Sequence, residues 1–269
     1  MTKRATVHIE DICFTYETDM VLKHINMDIT PNRVYFVMGN NGSGKTTLLK
    51  NLMGFLVPQT GKIKINNADI SSFDRKALSR LVSYVPQAIH LNTDFSVIDY
   101  ISLGRTPYMG FSNKLQKTDY DIIEKYAVEL GVNGIYSVQF NNLSGGQKQM
   151  VAITRSLVQE TPLIILDEPM SALDIGKQVD LLRLIGKLAQ EGRTVIMTSH
   201  NPNHALALES DSCFLQNGEI VAYGRSKEII QETMLKRIYG ENITINSSGV
   251  RSVVFDMEKN RDNSATMID

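Results

Sequence analysis

The stretch that most restricts how this chain can fold is residues 39–47, GNNGSGKTT. It follows a short apolar, β-rich run, RVYFVMG, and opens a run of helix formers, SGKTTLLKNLMG, which Gly54 closes as a C-terminal cap. Strand, glycine loop and helix in that order fit G-x-x-x-x-G-K-[ST]. A chain of ordinary composition contains that pattern by chance about once in a hundred cases. The residue types follow from the chemistry of phosphate. Gly42 and Gly44 lack side chains, so the backbone amides of Asn40, Asn41, Ser43 and Thr47 can curl around anionic oxygens at the positive end of a helix. Lys45 brings a point charge to β- and γ-phosphates, and the Thr46 hydroxyl suits a Mg²⁺ that bridges the same oxygens.

LIILDEP at residues 163–169 supplies the expected second half of such a site. A continuous apolar strand carries Asp167 to the carboxyl end of a sheet, where ligands of open α/β sheets bind, and there it can hold Mg²⁺ through water. Glu168 comes next. Neighbouring strand residues point to opposite sides, but the chain is already turning here, so both carboxylates can reach one cleft. Glu168 is the expected general base or water-orienting group. Gln87, after SYVP, and His200, after TVIMTS, end two further strands of the same sheet.

The remaining patterns place this core in an α/β chain with a mainly parallel sheet, the arrangement of a P-loop NTPase. TVHIEDICFTY and VLKHINMDIT alternate apolar and polar residues and predict an N-terminal antiparallel β subdomain, and GKIKIN reads as a further strand. DRKALSRL reads as a short helix starting near Asp74, and VSYVPQ as a strand stopped by Pro86. Residues 88 to about 160 carry helical patterns, including DYDIIEKYAVELG with Gly131 as its stop, and predict an inserted helical subdomain. PLIILDEP and TVIMTSH flank the helix DIGKQVDLLRLIGKLAQEG as a βαβ unit. SCFLQNGEIVAYG predicts a hairpin turned at Asn217-Gly218, SKEIIQETMLKRIYG one helix capped by Ser226, and ITINSSGVRSVVFDM a late pair of strands. The expected domain is residues 1–258, with 259–269 a frayed tail. With 29 acidic against 28 basic residues and no basic run, nucleic acid is not favoured as a partner. Cys13 and Cys213 lack metal-type spacing and fit free thiols. No apolar run reaches the ~18 to 20 residues needed to cross a bilayer.

LSGGQ at residues 143–147 decides among nucleotide hydrolases. Ser144 can cap the helix that starts there, while Gly145 and Gly146 bare the amides of its positive end, with Gln147 beside them. That is a second phosphate-binding surface about a hundred residues from the first, and one chain has no second triphosphate to offer it. A dimer resolves the excess: LSGGQ of one copy closes over the γ-phosphate held by GNNGSGKTT of the other.

With these motifs in this order, residues 5 to 240 resemble the nucleotide-binding subunits of ABC transporters. The resemblance implies ATP and Mg²⁺ as ligands and a head-to-tail dimer with ATP between the copies. Tyr16 resembles the aromatic that stacks on adenine. Gln87 resembles the residue that touches Mg²⁺ and senses the membrane partner. SALD at residues 171–174 is similar to the loop whose Asp174 communicates between sites, and His200 to the switch histidine at the γ-phosphate. Asn32 stands where the family has glycine, and Met170 where it has a small or polar residue.

Such a chain docks, on this reading, on separate integral-membrane permease subunits, peripheral on the cytoplasmic face of the membrane, in a system with an extracytoplasmic substrate-binding protein. SVIDYISLGRTPYMGF and TSHNPNHALAL resemble importers of iron chelates, haem and cobalamin, with zinc and molybdate importers as alternatives. A nucleic-acid ATPase of the same superfamily would need a heptad insertion or a basic face. A small-molecule kinase would have no use for LSGGQ. The segment from Gln87 to Phe111, with Tyr100, Tyr108 and Met109, is the expected permease-docking region, at least half of these apolar groups being core.

Overall fold

The computed structural model describes residues 4–89, 94–110, 114–248 and 250–255. Phe111 and the tail from Lys259 lie outside the described residues. The chain opens with β1 (Val7–Tyr16) and β2 (Asp19–Ile29), paired antiparallel as the alternation predicts. After β3 (Val34–Met38) and α1 (Lys45–Leu52), it returns through β4 (Thr60–Ile65) and β5 (Ala68–Asp69) to complete a four-stranded sheet in the order β2-β1-β4-β5. Asn32 sits at a φ of 63° in the turn before β3, a conformation asparagine tolerates.

Next come α2 (Arg75–Ser79), capped by the Asp74 carboxylate on the Ala77 amide, and β6 (Val82–Val85). The helical insertion then contains α3 (Val97–Ser102), a 3₁₀ segment Leu103–Tyr108, α4 (Lys117–Glu129) and α5 (Gly145–Val158). The GRTPYMG stretch is largely 3₁₀ helix. Gly131, with φ 66°, ends α4 as expected.

The chain re-enters the core with β7 (Leu163–Leu166), α6 (Ile175–Gln190), β8 (Thr194–Thr198), α7 (Pro202–Ala207), β9 (Asp211–Gln216) and β10 (Glu219–Arg225). These build a six-stranded sheet, β10-β9-β3-β8-β7-β6, parallel throughout except for the hairpin strand β10. The two-residue period of β3 divides its side chains between two cores. Phe36 and Met38 enter one with Leu157 and Leu184, whereas Tyr35 and Val37 enter the other with Ile12 and Leu48. β7 does the same, with Ile164 and Leu166 on one side and Leu163 and Ile165 on the other. Each such fully buried side chain contributes about 1.5–3 kcal/mol. Double-sided burial is why these strands read as unbroken apolar runs.

The C-terminal unit consists of α8 (Ser226–Ile229), α9 (Glu232–Tyr239), β11 (Ile243–Asn246) and β12 (Ser252–Phe255), the last two an antiparallel pair. The single helix expected from Ser226 onward is therefore two. Ser226 is not its cap either: Arg225 occupies that position without a side-chain bond. Ser226 is buried, and its hydroxyl lies 2.7 Å from those of Ser210 and Ser212, which leaves it turned away from the α8 amides. Ile230 turns fully into the core between the two helices. Cys13 and Cys213 are both free and buried.

Candidate functional site

Four parallel strands, β3, β8, β7 and β6, lie side by side, and the loops at their carboxyl ends carry the phosphate loop, His200, Asp167 with Glu168, and Gln87. The phosphate loop bends back on itself. Lys45 Nζ donates to the carbonyls of Gly39 and Asn40 at 2.8 and 2.9 Å, inside the loop it belongs to. Burial lowers the Lys45 pKa from its ordinary value, against the pull of nearby Glu168 and Asp167. Glycine is required at position 39, where a Cβ would stand 2.1 Å from the Leu215 carbonyl oxygen. Gly42 and Asn41 are exposed at the loop's crest, while Ser43 and Thr47 are buried. The Ser43 hydroxyl has no hydrogen-bond partner.

Thr46 Oγ1 donates to Asp167 Oδ2 at 2.9 Å, which joins the end of the glycine loop to the end of β7. The other oxygen, Oδ1, accepts from Thr198 Oγ1 at 2.7 Å. The same Thr198 oxygen accepts the Glu168 amide at 2.7 Å. Thr198 therefore fixes both carboxylate residues from the neighbouring strand. Glu168 has a φ of 48°, a left-handed conformation that costs a non-glycine residue on the order of 1 kcal/mol and turns its side chain into the cleft with Asp167. Its two oxygens are both engaged: Oε2 accepts from Gln87 Nε2 at 2.8 Å, and Oε1 pairs with His200 Nε2. A cleft of about 220 Å³ opens beside this group, lined by Glu168, Ser171, Gln178, Thr198, His200 and His204.

The second surface is built differently. Ser144 and Gln147 form a reciprocal capping box on α5: Gln147 N donates to Ser144 Oγ at 3.3 Å, and Ser144 N to Gln147 Oε1 at 3.0 Å. The amides of Gly145 and Gly146 carry no hydrogen bond among the described residues, and Ser144, Gly145 and Gln147 are exposed. A Cβ on Gly146 would lie 3.0 Å from the Ala172 carbonyl, so this glycine abuts the SALD loop of its own chain. Asp174 caps α6 through the Lys177 amide at 2.9 Å. Tyr16 stands apart at the exposed end of β1, its ring edge-on to Phe14 at 4.8 Å between centroids.

The phosphate loop, Asp167, Glu168, Gln87 and His200 are thus one hydrogen-bonded cluster, whereas LSGGQ and Asp174 form a second group and Tyr16 a third place. The Asn40 side chain leaves the loop altogether and donates to the Ile238 carbonyl at 2.7 Å. Sequence reading passed over Thr198, whose only mark is a hydroxyl at the end of an apolar strand directly before Ser-His. It also missed Ser199, Asn201 and His204, which form a small network behind His200. Ser199 Oγ lies 2.9 Å from His204 Nδ1 and accepts the Asn201 amide at 3.1 Å.

In the expected docking region, Tyr100 belongs to the core and packs on Phe140. Tyr108 is held by stacking of Arg105 and Arg80, 4.3 and 5.4 Å from its ring centre, and by its hydroxyl on the Gln159 carbonyl. Met109 instead lines an open groove of about 720 Å³ with Leu103, Pro107, Arg75, Lys76 and Arg155. No helix among the described residues is long and apolar enough to cross a membrane.

The sequence profile of the ABC transporter family matches residues 22–171, more than half the chain. The thiamine import ATP-binding protein ThiQ of Brucella abortus is 35% identical over 86% of this chain and 92% of its own. The ferric enterobactin transport ATP-binding protein FepC of Escherichia coli is 31% identical over 86% of each. A chain from a structure described as a metal-chelate type ABC transporter in an inward-facing conformation superposes with a TM-score of 0.81, at 27% identity, over 96% of this chain and 99% of that one. The phosphate-loop cluster, the capped LSGGQ helix and these likenesses agree, and the chain belongs to the ATP-binding proteins of the ABC transporter family.

Proposed function

We propose that this ABC ATPase is the energy-supplying subunit of a membrane importer, in which two copies close head to tail over ATP and Mg²⁺ and drive a separate permease. The observation that carries the catalytic part is Glu168, strained into the cleft beside Asp167 with both oxygens held by Gln87 and His200. The residues fit the nucleotide and its metal. The buried Ser43 hydroxyl lacks a partner, and Thr46 and Asp167 offer the hard oxygen ligands that Mg²⁺ prefers, with Gln87 beside them. Bound there, Mg²⁺ would neutralise charge on the phosphate oxygens.

In this reading the chain's own groups divide the work. Lys45 leaves the loop carbonyls for the phosphates, and the amides of residues 40–47 hold the anion. Glu168 accepts a proton from the attacking water once His200 releases one of its oxygens and turns to the γ-phosphate. Tyr16 stacks on the base. Ser144, Gly145, Gly146 and Gln147 of the second copy cover the triphosphate, and Asp174 lies at the seam. The groove at Met109 takes the permease, whose movement follows the helical subdomain through Gln87. A substrate-binding protein outside the membrane delivers the cargo.

An iron chelate, haem or cobalamin is the cargo we favour, supported by the FepC likeness and the metal-chelate transporter fold. The ThiQ likeness, at higher identity, supports thiamine as the second reading. The test uses the chain with its own permease in membrane vesicles. Glu168→Gln should bind ATP while hydrolysing it at least ~10²-fold more slowly. Met109→Asp should keep ATP hydrolysis in solution and lose co-purification with the permease. Uptake of a ferric chelate or cobalamin, but not thiamine, is expected; thiamine uptake alone would replace the cargo, and full hydrolysis by Glu168→Gln would remove the base.

A further inference from the structure

The polypeptide beyond α8 meets the phosphate loop at one place and α7, the helix after His200, at another. At one, the end of α9 meets the phosphate loop. Asn40 Nδ2 donates to the Ile238 carbonyl at 2.7 Å, and the neighbouring Tyr239 hydroxyl is buried without a well-formed hydrogen bond, facing the Gly39 amide. At the other, β12 meets α7. Asn203 Nδ2 donates to the Val253 carbonyl at 3.1 Å, and the Val253 amide donates to Asn203 Oδ1 at 2.7 Å. One side-chain amide thus pairs with both polar groups of Val253, as a neighbouring strand would.

This pairing uses an edge that β11 does not. Ile245 and Val253 are partners in the antiparallel β11–β12 pair, yet the amide and carbonyl of Val253 both go to Asn203 on the opposite side. The rest of the unit is braced to carry a load between its ends. Glu232 on α9 accepts from Thr244 Oγ1 at 2.8 Å and pairs with Lys236, and these bonds hold its pKa down at about 2. Arg251 donates to the carbonyls of Lys227 and Ile230 at 2.5 and 2.6 Å, which anchors the start of β12.

Asn203 lies three positions after His200, on a helix capped by Asn201. A loop pinned so near the histidine can swing only about that pin. We infer that Asn203 is a positioning residue for ATP hydrolysis: through its two bonds to Val253, the C-terminal hairpin sets where His200 stands relative to Glu168 and, through α9, to the phosphate loop. The inference rests on the reading of Glu168 and His200 as the groups that activate water. Asn203 itself touches no reacting atom.

The test compares steady-state ATP hydrolysis and fluorescent-nucleotide binding in the full chain and two variants that cut the same pairing from opposite sides. Asn203→Ala removes both bonds. Val253→Pro removes the amide that donates to Asn203 and leaves the β11 ladder intact, because that amide faces away from it. Each should lower kcat about tenfold, as misplacement of a catalytic group does, with nucleotide Kd changed less than twofold. The double variant should be no worse than either, since both act through one contact. Asn203→Asp keeps the acceptor for the Val253 amide but sets a carboxylate oxygen against the Val253 carbonyl, so it should not recover kcat. Unchanged kcat in both single variants, additive losses in the double, or losses of kcat and binding that track a falling Tm would overturn the inference. Absence of hydrolysis in the unmodified chain would instead defeat the assigned activity, so the two failures are distinguishable.

Discussion

In the phosphate-loop half of the site, each charged group already has a partner in its own chain: Lys45 on two carbonyls, Asp167 on Thr46 and Thr198, Glu168 on Gln87 and His200. In the LSGGQ half, the capping box satisfies Ser144 and Gln147 and stops there, leaving exposed Gly145 and half-buried Gly146 at the positive end of a fourteen-residue helix. The contrast is one of completion. A buried anion site must satisfy its own charges while it waits, since unpaired buried charge costs several kcal/mol. An exposed helix end can leave its amides to water at little cost until an anion arrives. The two halves are suited to meet across an interface rather than within a chain.

Lys45→Ala attacks the first half where its effect is largest. A charge-assisted hydrogen bond in such a site is worth about 1.5–3 kcal/mol, so ATP affinity should fall by roughly 10- to 100-fold, measured by equilibrium binding to the single chain. Gly146→Asp attacks the second half and should spare that affinity. Its carboxylate faces the approach of another anion, and hydrolysis should drop by about tenfold or more while each chain still binds ATP. If Gly146→Asp weakened binding to isolated chains as much as Lys45→Ala, the two halves would belong to one intrachain site.

A smaller effect concerns the network behind His200. Burial lowers the His204 pKa below its ordinary value, so the folded chain carries this imidazole neutral where the unfolded chain would protonate it. The sign follows: the unfolded state binds more protons below about pH 6.5, and stability should decline as pH falls through that value toward the folded pKa. Denaturant titrations between about pH 5.5 and 7.5 should show this slope, and His204→Gln should flatten it.

Much of this was legible before any coordinates because the signals are local. Unbroken apolar runs gave β7 and β8, glycine spacing gave the phosphate loop, and Ser144 ahead of an amphipathic run gave a helix start. What escaped depends on residues far apart in sequence. Ser226 could not be read as buried without Ser210 and Ser212 beside it, and so the helix break after it was missed. Thr198 gains its meaning only when β7 and β8 lie together. Tyr108, expected partly on an open docking face, is instead caught between Arg80 and Arg105, leaving Met109 to line the groove. Asn203 and Val253, fifty positions apart, carry no mutual mark in the sequence.

The claim that the two halves complete each other between copies is tested most directly by sedimentation of the Glu168→Gln chain, expected to hydrolyse slowly, with saturating ATP and Mg²⁺, alone and with Gly146→Asp added. The account predicts a two-chain species for Glu168→Gln with ATP, one chain without it, and one chain for the double variant even when nucleotide binding shows it fully occupied. A Glu168→Gln chain that stays single while saturated with ATP, or a double variant that still pairs, would contradict it.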